Sequence, residues 1–395
     1  MMIRAEISNV NHLEYGVATI PFPIPRAEYD HCMELLEALH IGDAVKADCK
    51  VISIDSHYTV LKRMEMQAVN VDELDYLAKR LESFDVGEAA QFQAMAEKLD
   101  LTDIKGLINL TFCCQQTTVI TDFSDLNRVG REHYMNRHGG SALTEELEKL
   151  DGEALARDII DSGSGVVTPY GVVYNNGMDL EQVYDGRHFP CYYYEPALLT
   201  LTLCEHSAPA DTEAVTWLFL PMARTQLDHA ILRADIAPED RDFRFQESRF
   251  PDELDAALQF ETEDVYDLNA LCEACTKFDD ADFAKLGAVC QMTQPENTRA
   301  LRQLIENLDL FGFAPNVHTP EELGRYMIQE SGHFDYDPEL DEFYNYDDYG
   351  VTKMLSEDGI FNDRGYVAYH GAMTLDELMR DDPAETYRQE MGGMA

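Results

Sequence analysis

The chain repeats itself. Leu74-Asp75-Tyr76-Leu77-Ala78, followed by Phe84-Asp85, matches Leu268-Asn269-Ala270-Leu271-Cys272, followed by Phe278-Asp279, at an offset of 268 − 74 = 194. Gly165-Val166-Val167, Gly171-Val172-Val173 and Gly177 match Gly359-Ile360-Phe361, Gly365-Tyr366-Val367 and Gly371 at the same offset. Leu126-Asn127-Arg128 matches Leu323-Gly324-Arg325 at 323 − 126 = 197. Upstream, Pro23-Ile24-Pro25-Arg26 with Tyr29-Asp30-His31 resembles Pro221-Met222-Ala223-Arg224 with Leu227-Asp228-His229. Four blocks in one order and at nearly one spacing indicate a tandem duplication. The fold must then be one that serves twice.

Each repeat reads as a mixed α+β unit. Short β-rich runs, Val17–Ile20 and Val51–Ile54, flank a helix expected over about Arg26 to His40. Leu74, Leu77, Ala78 and Leu81 recur at helical spacing, as do Phe92, Met95, Ala96 and Leu99. A further helix is expected near Gly152–Asp161, then a hairpin over Val166–Tyr174 turning at Pro169-Tyr170-Gly171. The expected organisation is a first repeat over 1–177, a linker over 178–198, a second repeat over 199–372 and a tail helix within 373–395. In fold class this is α+β, an elongated array of small domains in two diverged repeats.

Charge narrows the function. The sequence has 30 basic and 75 acidic residues, a formal net charge of −45. It is shared unequally: residues 1–195 hold 16 basic and 33 acidic residues, net −17, and residues 196–395 hold 14 and 42, net −28. A hydrophobic fraction of 45% is enough to bury a core, so the charge does not imply a disordered chain. Phosphate and anionic lipid would both be repelled, which excludes a basic nucleic-acid module and disfavours membrane-surface binding. No apolar run has the roughly 18 residues a membrane span needs, and the N-terminus has no signal core. With no export signal, the nine cysteines read as reduced thiols, and the expected location is cytoplasmic.

Conventional catalytic motifs do not assemble. Cys272-Glu273-Ala274-Cys275 has the CxxC spacing, but no second pair follows to complete a zinc site. Its alignment with Ala78 and Leu81 makes it a buried helical pair. Cys113-Cys114 likewise reads as core. Asp161-Ser162-Gly163-Ser164-Gly165 lacks the ending of a phosphate loop and reads as a helix C-terminus before a hairpin. Histidines such as His31, His229 and His318 stand alone. Asp335 to Asp348 holds seven acids and no base, yet Pro338 and Leu340 spoil a calcium loop. No cofactor and no metal site is expected. The aromatic residues of that stretch indicate that it folds and presents its carboxylates on a packed surface.

Thr319-Pro320-Glu321-Glu322-Leu323-Gly324-Arg325-Tyr326, Tyr344-Asn345-Tyr346-Asp347-Asp348-Tyr349-Gly350 and Asp358 through Val367 together resemble the ArdA family of antirestriction proteins. The first repeat carries a weaker version in Leu126-Asn127-Arg128, Ala154–Asp158 and Gly165–Tyr174. The resemblance implies non-enzymatic mimics of bent B-form DNA, which occupy the DNA-binding groove of type I restriction-modification enzymes and are carried on mobile genetic elements. It makes the carboxylates the partner-binding residues: Asp335, Asp337, Glu339, Asp341, Glu342, Asp347 and Asp348 in the second repeat. In the first they are Glu145, Glu146, Glu148, Asp151 and Glu153. The family usually carries one such unit and dimerises through its last domain. Two units in one chain therefore lead to an internal pseudo-dimer, with a homodimer as the alternative. Two other classes stay open, an acidic protein with a different basic partner and a thiol- or metal-dependent enzyme.

Overall fold

The computed structural model describes residues 3–212, 214–258, 263–333 and 335–379. The fold is α+β, with several small antiparallel sheets among many short helices.

The first half opens with strands β1 (Ile3–Asn9) and β2 (Val17–Phe22), helix α1 (Arg26–Glu37), and strands β3 (Cys49–Asp55) and β4 (Ala68–Val69). The sheet order is β2-β1-β3-β4. Alternation along β1 turns Ile3, Ala5 and Ile7 inward and leaves Arg4 and Glu6 exposed, the period-two signature of a sheet covered on one face. Three helices follow, α2 (Val71–Glu82), α3 (Val86–Lys98) and α4 (Ile104–Leu110). Each begins at a side chain that accepts from otherwise unpaired backbone N–H groups: Asn70, Asp85 and Asp103. The half closes with β5 (Thr118–Ile120), α5 (Leu126–Arg137), α6 (Thr144–Lys149), α7 (Gly152–Asp161), and the hairpin β6 (Val166–Thr168) and β7 (Gly171–Tyr174). Its sheet order is β5-β7-β6.

The second half runs through most of the same elements. They are β8 (Leu199–Glu205), β9 (Thr216–Leu220), α8 (Arg224–Ala234), β10 (Arg241–Ser248), α9 (Asp252–Ala257), α10 (Val265–Ala274), α11 (Asp280–Thr293) and α12 (Thr298–Glu306). Then come β11 (Phe311–Pro315), α13 (Pro320–Gln329), α14 (Tyr346–Glu357), β12 (Ile360–Asn362), β13 (Gly365–Tyr369) and α15 (Leu375–Met379). The strand orders β10-β8-β9 and β11-β13-β12 reproduce those of the first half, apart from β4. The helix caps recur at one spacing: Asp264, Asp279 and Asn297 each lie 194 residues after Asn70, Asp85 and Asp103. Thr319 and Asn345 follow Asp125 and Asp151 by the same 194.

That spacing revises one sequence match. Leu323-Gly324-Arg325 does not correspond to Leu126-Asn127-Arg128. Buried Leu323 stands 194 residues after buried Val129, and Gly324 after Gly130. The slip of three residues is close to one helical turn of 3.6, so the mistaken alignment kept nearly the same helix face.

The chain divides into two compact units. One is Met1–Pro196 with Leu203–Trp217 and Ala223–Arg241, and the other is Ala197–Thr202 with Leu218–Met222 and Asp242–Ala395. In the first, a single core takes in β1, β2, α1, α2, α3 and α4, and extends to Met178 and Tyr184. The stretch expected as a linker is therefore folded. Tyr184 is fully buried, with its amide donating to Asn109 Oδ1 at 2.7 Å and Asn109 Nδ2 donating back to its carbonyl at 3.1 Å. Phe189 stacks between Tyr76 and Tyr184, and the Arg80 guanidinium lies 4.5 Å from the Tyr192 ring. The expected tail helix is described only as far as α15; residues 380–395 lie outside the described residues.

Candidate partner-binding faces

Helices α13 and α14 pack closely and hold the acidic stretch between them. Thr319 and Glu322 form a reciprocal cap at the start of α13, and Asn345 caps α14. Between them Asp337 caps a 3-10 turn over Pro338–Phe343. At the centre sits Asp341. Its Oδ1 accepts from Tyr336 Oη at 2.8 Å, Tyr346 Oη at 2.6 Å and Gln329 Nε2 at 3.0 Å. Hydrogen bonds from Tyr346 and Tyr336 hold the Asp341 carboxyl below the usual carboxylate range. The same bonding pushes the Tyr336 phenol up to about 12. The Tyr344 ring lies 6.0 Å from that of Tyr336 and 5.8 Å from that of Tyr346, whose face carries the Arg325 guanidinium at 4.5 Å.

Asp341 is thus half-buried and tied inward, while Asp335, Asp337, Glu339, Glu342, Asp347 and Asp348 are exposed. Asp341 therefore also shapes the segment that displays the others. The sequence signal was the set of tyrosines, but which carboxylate they would grip depended on how the 3-10 turn folds.

The equivalent stretch of the first half is built differently. Gly139 and Gly140, both with positive φ, lead into α6, where Glu145, Glu146 and Glu148 are exposed. Asp151 is exposed yet caps α7 through the Ala154 amide at 3.0 Å, and Glu153 pairs with Arg157 one turn on. Glu146 also accepts the Leu143 amide at 3.4 Å, so three of the five carboxylates expected to meet a partner are already engaged locally.

The first unit also contains a buried charged cluster that sequence reasoning missed. His229 Nδ1 on α8 lies 2.9 Å from Asp72 Oδ2 in the first turn of α2, with each side chain only 11% exposed. Arg233, one turn further along α8, is 4% exposed and sits 3.8 Å from the same oxygen. Arg233 also donates to Asn70 Oδ1 and, at 3.2 Å, to the Tyr184 hydroxyl. That hydroxyl donates to Glu73 Oε1 at 2.7 Å, and Tyr29 on α1 donates to Asp72. The partners lie 157 residues apart in the chain, so no local pattern signals them.

The thiols are sequestered. Among the nine cysteines only Cys191 is exposed. Burial pushes Cys275 and Cys290 up to about 12, and raises Cys272 well above its ordinary value. A protonated, buried thiol is neither nucleophile nor metal ligand. Among the described residues no group of three or more His, Cys, Asp or Glu side chains could hold a metal ion, and no helix is long and apolar enough to cross a membrane.

No family model matches this sequence, and no curated protein matches it.

Proposed function

We propose that the chain is a non-enzymatic DNA mimic of the ArdA type, a tandem duplication of the family's unit, which blocks type I restriction-modification enzymes in the cytoplasm by occupying their DNA-binding groove. The observation that carries the reading is the net charge of −45 on a folded chain whose acidic stretch, Asp335 to Asp348, is anchored at Asp341 while its other carboxylates face outward.

The mechanism is electrostatic. A groove built for duplex DNA presents Lys and Arg side chains to phosphates. Carboxylates on a rigid segment meet those cations through charge-assisted hydrogen bonds, and ordering them in advance reduces the entropic cost of binding. Long-range attraction speeds encounter. Carboxylates reproduce phosphates and not base edges, so one mimic serves against enzymes of different sequence specificity.

Competition between this protein and duplex DNA for a purified type I methyltransferase tests the proposal. Displacement of DNA is expected, weakening as added salt shortens the screening length from about 10 Å at 0.1 M to about 3 Å at 1 M. Simultaneous binding of both ligands, or affinity indifferent to salt, sinks it. The assembly proposed with it is an internal pseudo-dimer. Light scattering at micromolar concentration separates a mass near that of one 44.9 kDa chain from the homodimer.

A further inference from the structure

We propose that His229 and Asp72 form a proton-controlled latch that fastens α8 to α2, tight while the imidazole is charged and loosened when it loses its proton. The inference is independent of the DNA-mimic reading and lies wholly within the first compact unit.

Charge balance around the latch is the main argument. Asp72 and Glu73, in the first turn of α2, face two cationic side chains on α8, Arg233 and His229. With the imidazole charged, two half-buried carboxylates meet two cations. Once it is neutral, the same carboxylates share one guanidinium, and a net negative charge is left where the Asp72 and His229 side chains are each only 11% exposed. An uncompensated buried charge is strongly destabilising. Asp75, on the next turn of α2, does not disturb the count, because Lys79 lies 2.8 Å from it.

Other charged groups on α8 and on the elements that meet it have partners of their own. From α1, Tyr29 donates to Asp72, and Asp30 Oδ1 accepts the Thr225 amide of α8 at 2.8 Å. Burial and the neighbouring carboxylates keep the Tyr29 phenol protonated. On α8 itself, Asp228 lies 3.4 Å from Arg224. From the stretch after Tyr184, Arg187 pairs with Asp235 at 2.8 Å and donates to the Arg233 carbonyl at 2.7 Å. Burial lowers the affinity of His229 for a proton, but its hydrogen bond to Asp72 and that carboxylate's charge outweigh burial and raise it above the ordinary 6.5. Burial raises Glu73 above its ordinary value.

The sign follows from linkage. A histidine held above its unfolded value stabilises the attachment fully below about pH 6.5, and that contribution disappears as pH rises through the raised value. The latch is one-sided. His31, 198 residues earlier, is exposed and lies 3.6 Å from Glu34, and the position 194 residues after Asp72 is Tyr266.

Two measurements on the full chain test it. The first is a proton NMR titration of the His229 imidazole, expected to report a midpoint above 6.5; a midpoint at or below 6.5 overturns the proposal. The second is hydrogen exchange of the α8 amides, corrected for the intrinsic pH dependence of exchange. Protection is expected to fall by roughly fivefold or more between pH 6 and pH 8.5, a loss that His229→Gln abolishes. Protection that is independent of pH in the unaltered chain, or an unchanged loss in His229→Gln, overturns it. Asp72→Asn supplies a further arm: it should lower the His229 midpoint, and an unmoved midpoint counts against the pairing.

Discussion

Thr59 and Tyr170 in the first half stand where Glu253 and Arg364 stand in the second, each pair separated by 194 residues from its counterpart. In the first half the Tyr170 and Thr59 hydroxyls meet at 2.9 Å and tie the tip of the β6–β7 hairpin to the segment after β3. In the second half Arg364 grips Glu253 with two hydrogen bonds, 2.8 Å from Nε and 2.7 Å from Nη2. Gln291 joins the same carboxylate at 2.8 Å. The mechanical link is kept while its chemistry changes from neutral to ionic. The duplicated backbone therefore constrains where a tie is needed and leaves its composition open. The more acidic half uses a carboxylate for it.

The comparison breaks most forcibly at the helix crossings, where the halves are alike. A Cβ on Gly130 would lie 1.9 Å from the Gly152 carbonyl oxygen, and a Cβ on Gly324 would lie 1.9 Å from that of Tyr346. Gly130→Val and Gly324→Val should each cost roughly 3 kcal/mol or more, because backbone must move. Denaturant unfolding with hydrogen exchange would show each loss in its own helix pair. Equal tolerance at both sites would mean that the close crossing is not needed.

The ionic tie should matter less. Glu253→Gln is expected to cost about 1–2 kcal/mol, since charge-assisted bonds exceed neutral ones. Tyr170→Phe, in the more exposed neutral tie, should cost about 0.5–1 kcal/mol. The hydrogen bond from Arg364 holds Glu253 below its ordinary pKa. Its contribution is therefore present above about pH 4.5 and lost as pH falls through the lowered value. Acid unfolding followed by exchange at both hairpins should show this loss at β12–β13 and not at β6–β7.

Asp341 distinguishes the acidic stretches. Asp341→Asn should loosen the Tyr336–Tyr346 segment and weaken partner binding more than Asp335→Asn does, with exchange in the segment rising by roughly tenfold. The smallest effects are expected from single neutralisations at Asp335, Asp337, Glu339 or Glu342, each under about fivefold in binding, because exposed ion pairs contribute little individually. All four together should weaken binding far more. A lone exposed carboxylate that abolishes binding while the fold survives would point to a hot spot instead.

Much of the local structure is legible without coordinates. The spacing of Leu74, Leu77, Ala78 and Leu81 defines α2; Gly152–Asp161 is a helix; and the hairpin turns at Pro169-Tyr170-Gly171. Cys272 and Cys275 are buried as Ala78 and Leu81 are, because they occupy the same helix face. The acidic stretch was recognisable as a folded one from its tyrosines. That three donors converge on Asp341 was not legible, since composition does not say which oxygen they will meet.

What the sequence determined by itself is what depends on near neighbours: periodicity, caps, turns and the net charge, each set within a few residues or by a sum over them. The duplication belongs here too, because it is written as self-similarity. The tertiary structure alone decided which half supplies which partner. His229 reads as an isolated histidine until the fold brings Asp72 within 2.9 Å. The stretch 178–198 reads as a linker whose aromatic run Cys191–Tyr194 indicates packing, but that Tyr184 is buried against Asn109 is decided by the fold. Such pairings join residues distant in the chain, and their free energy depends on burial and geometry that exist only once the core has formed.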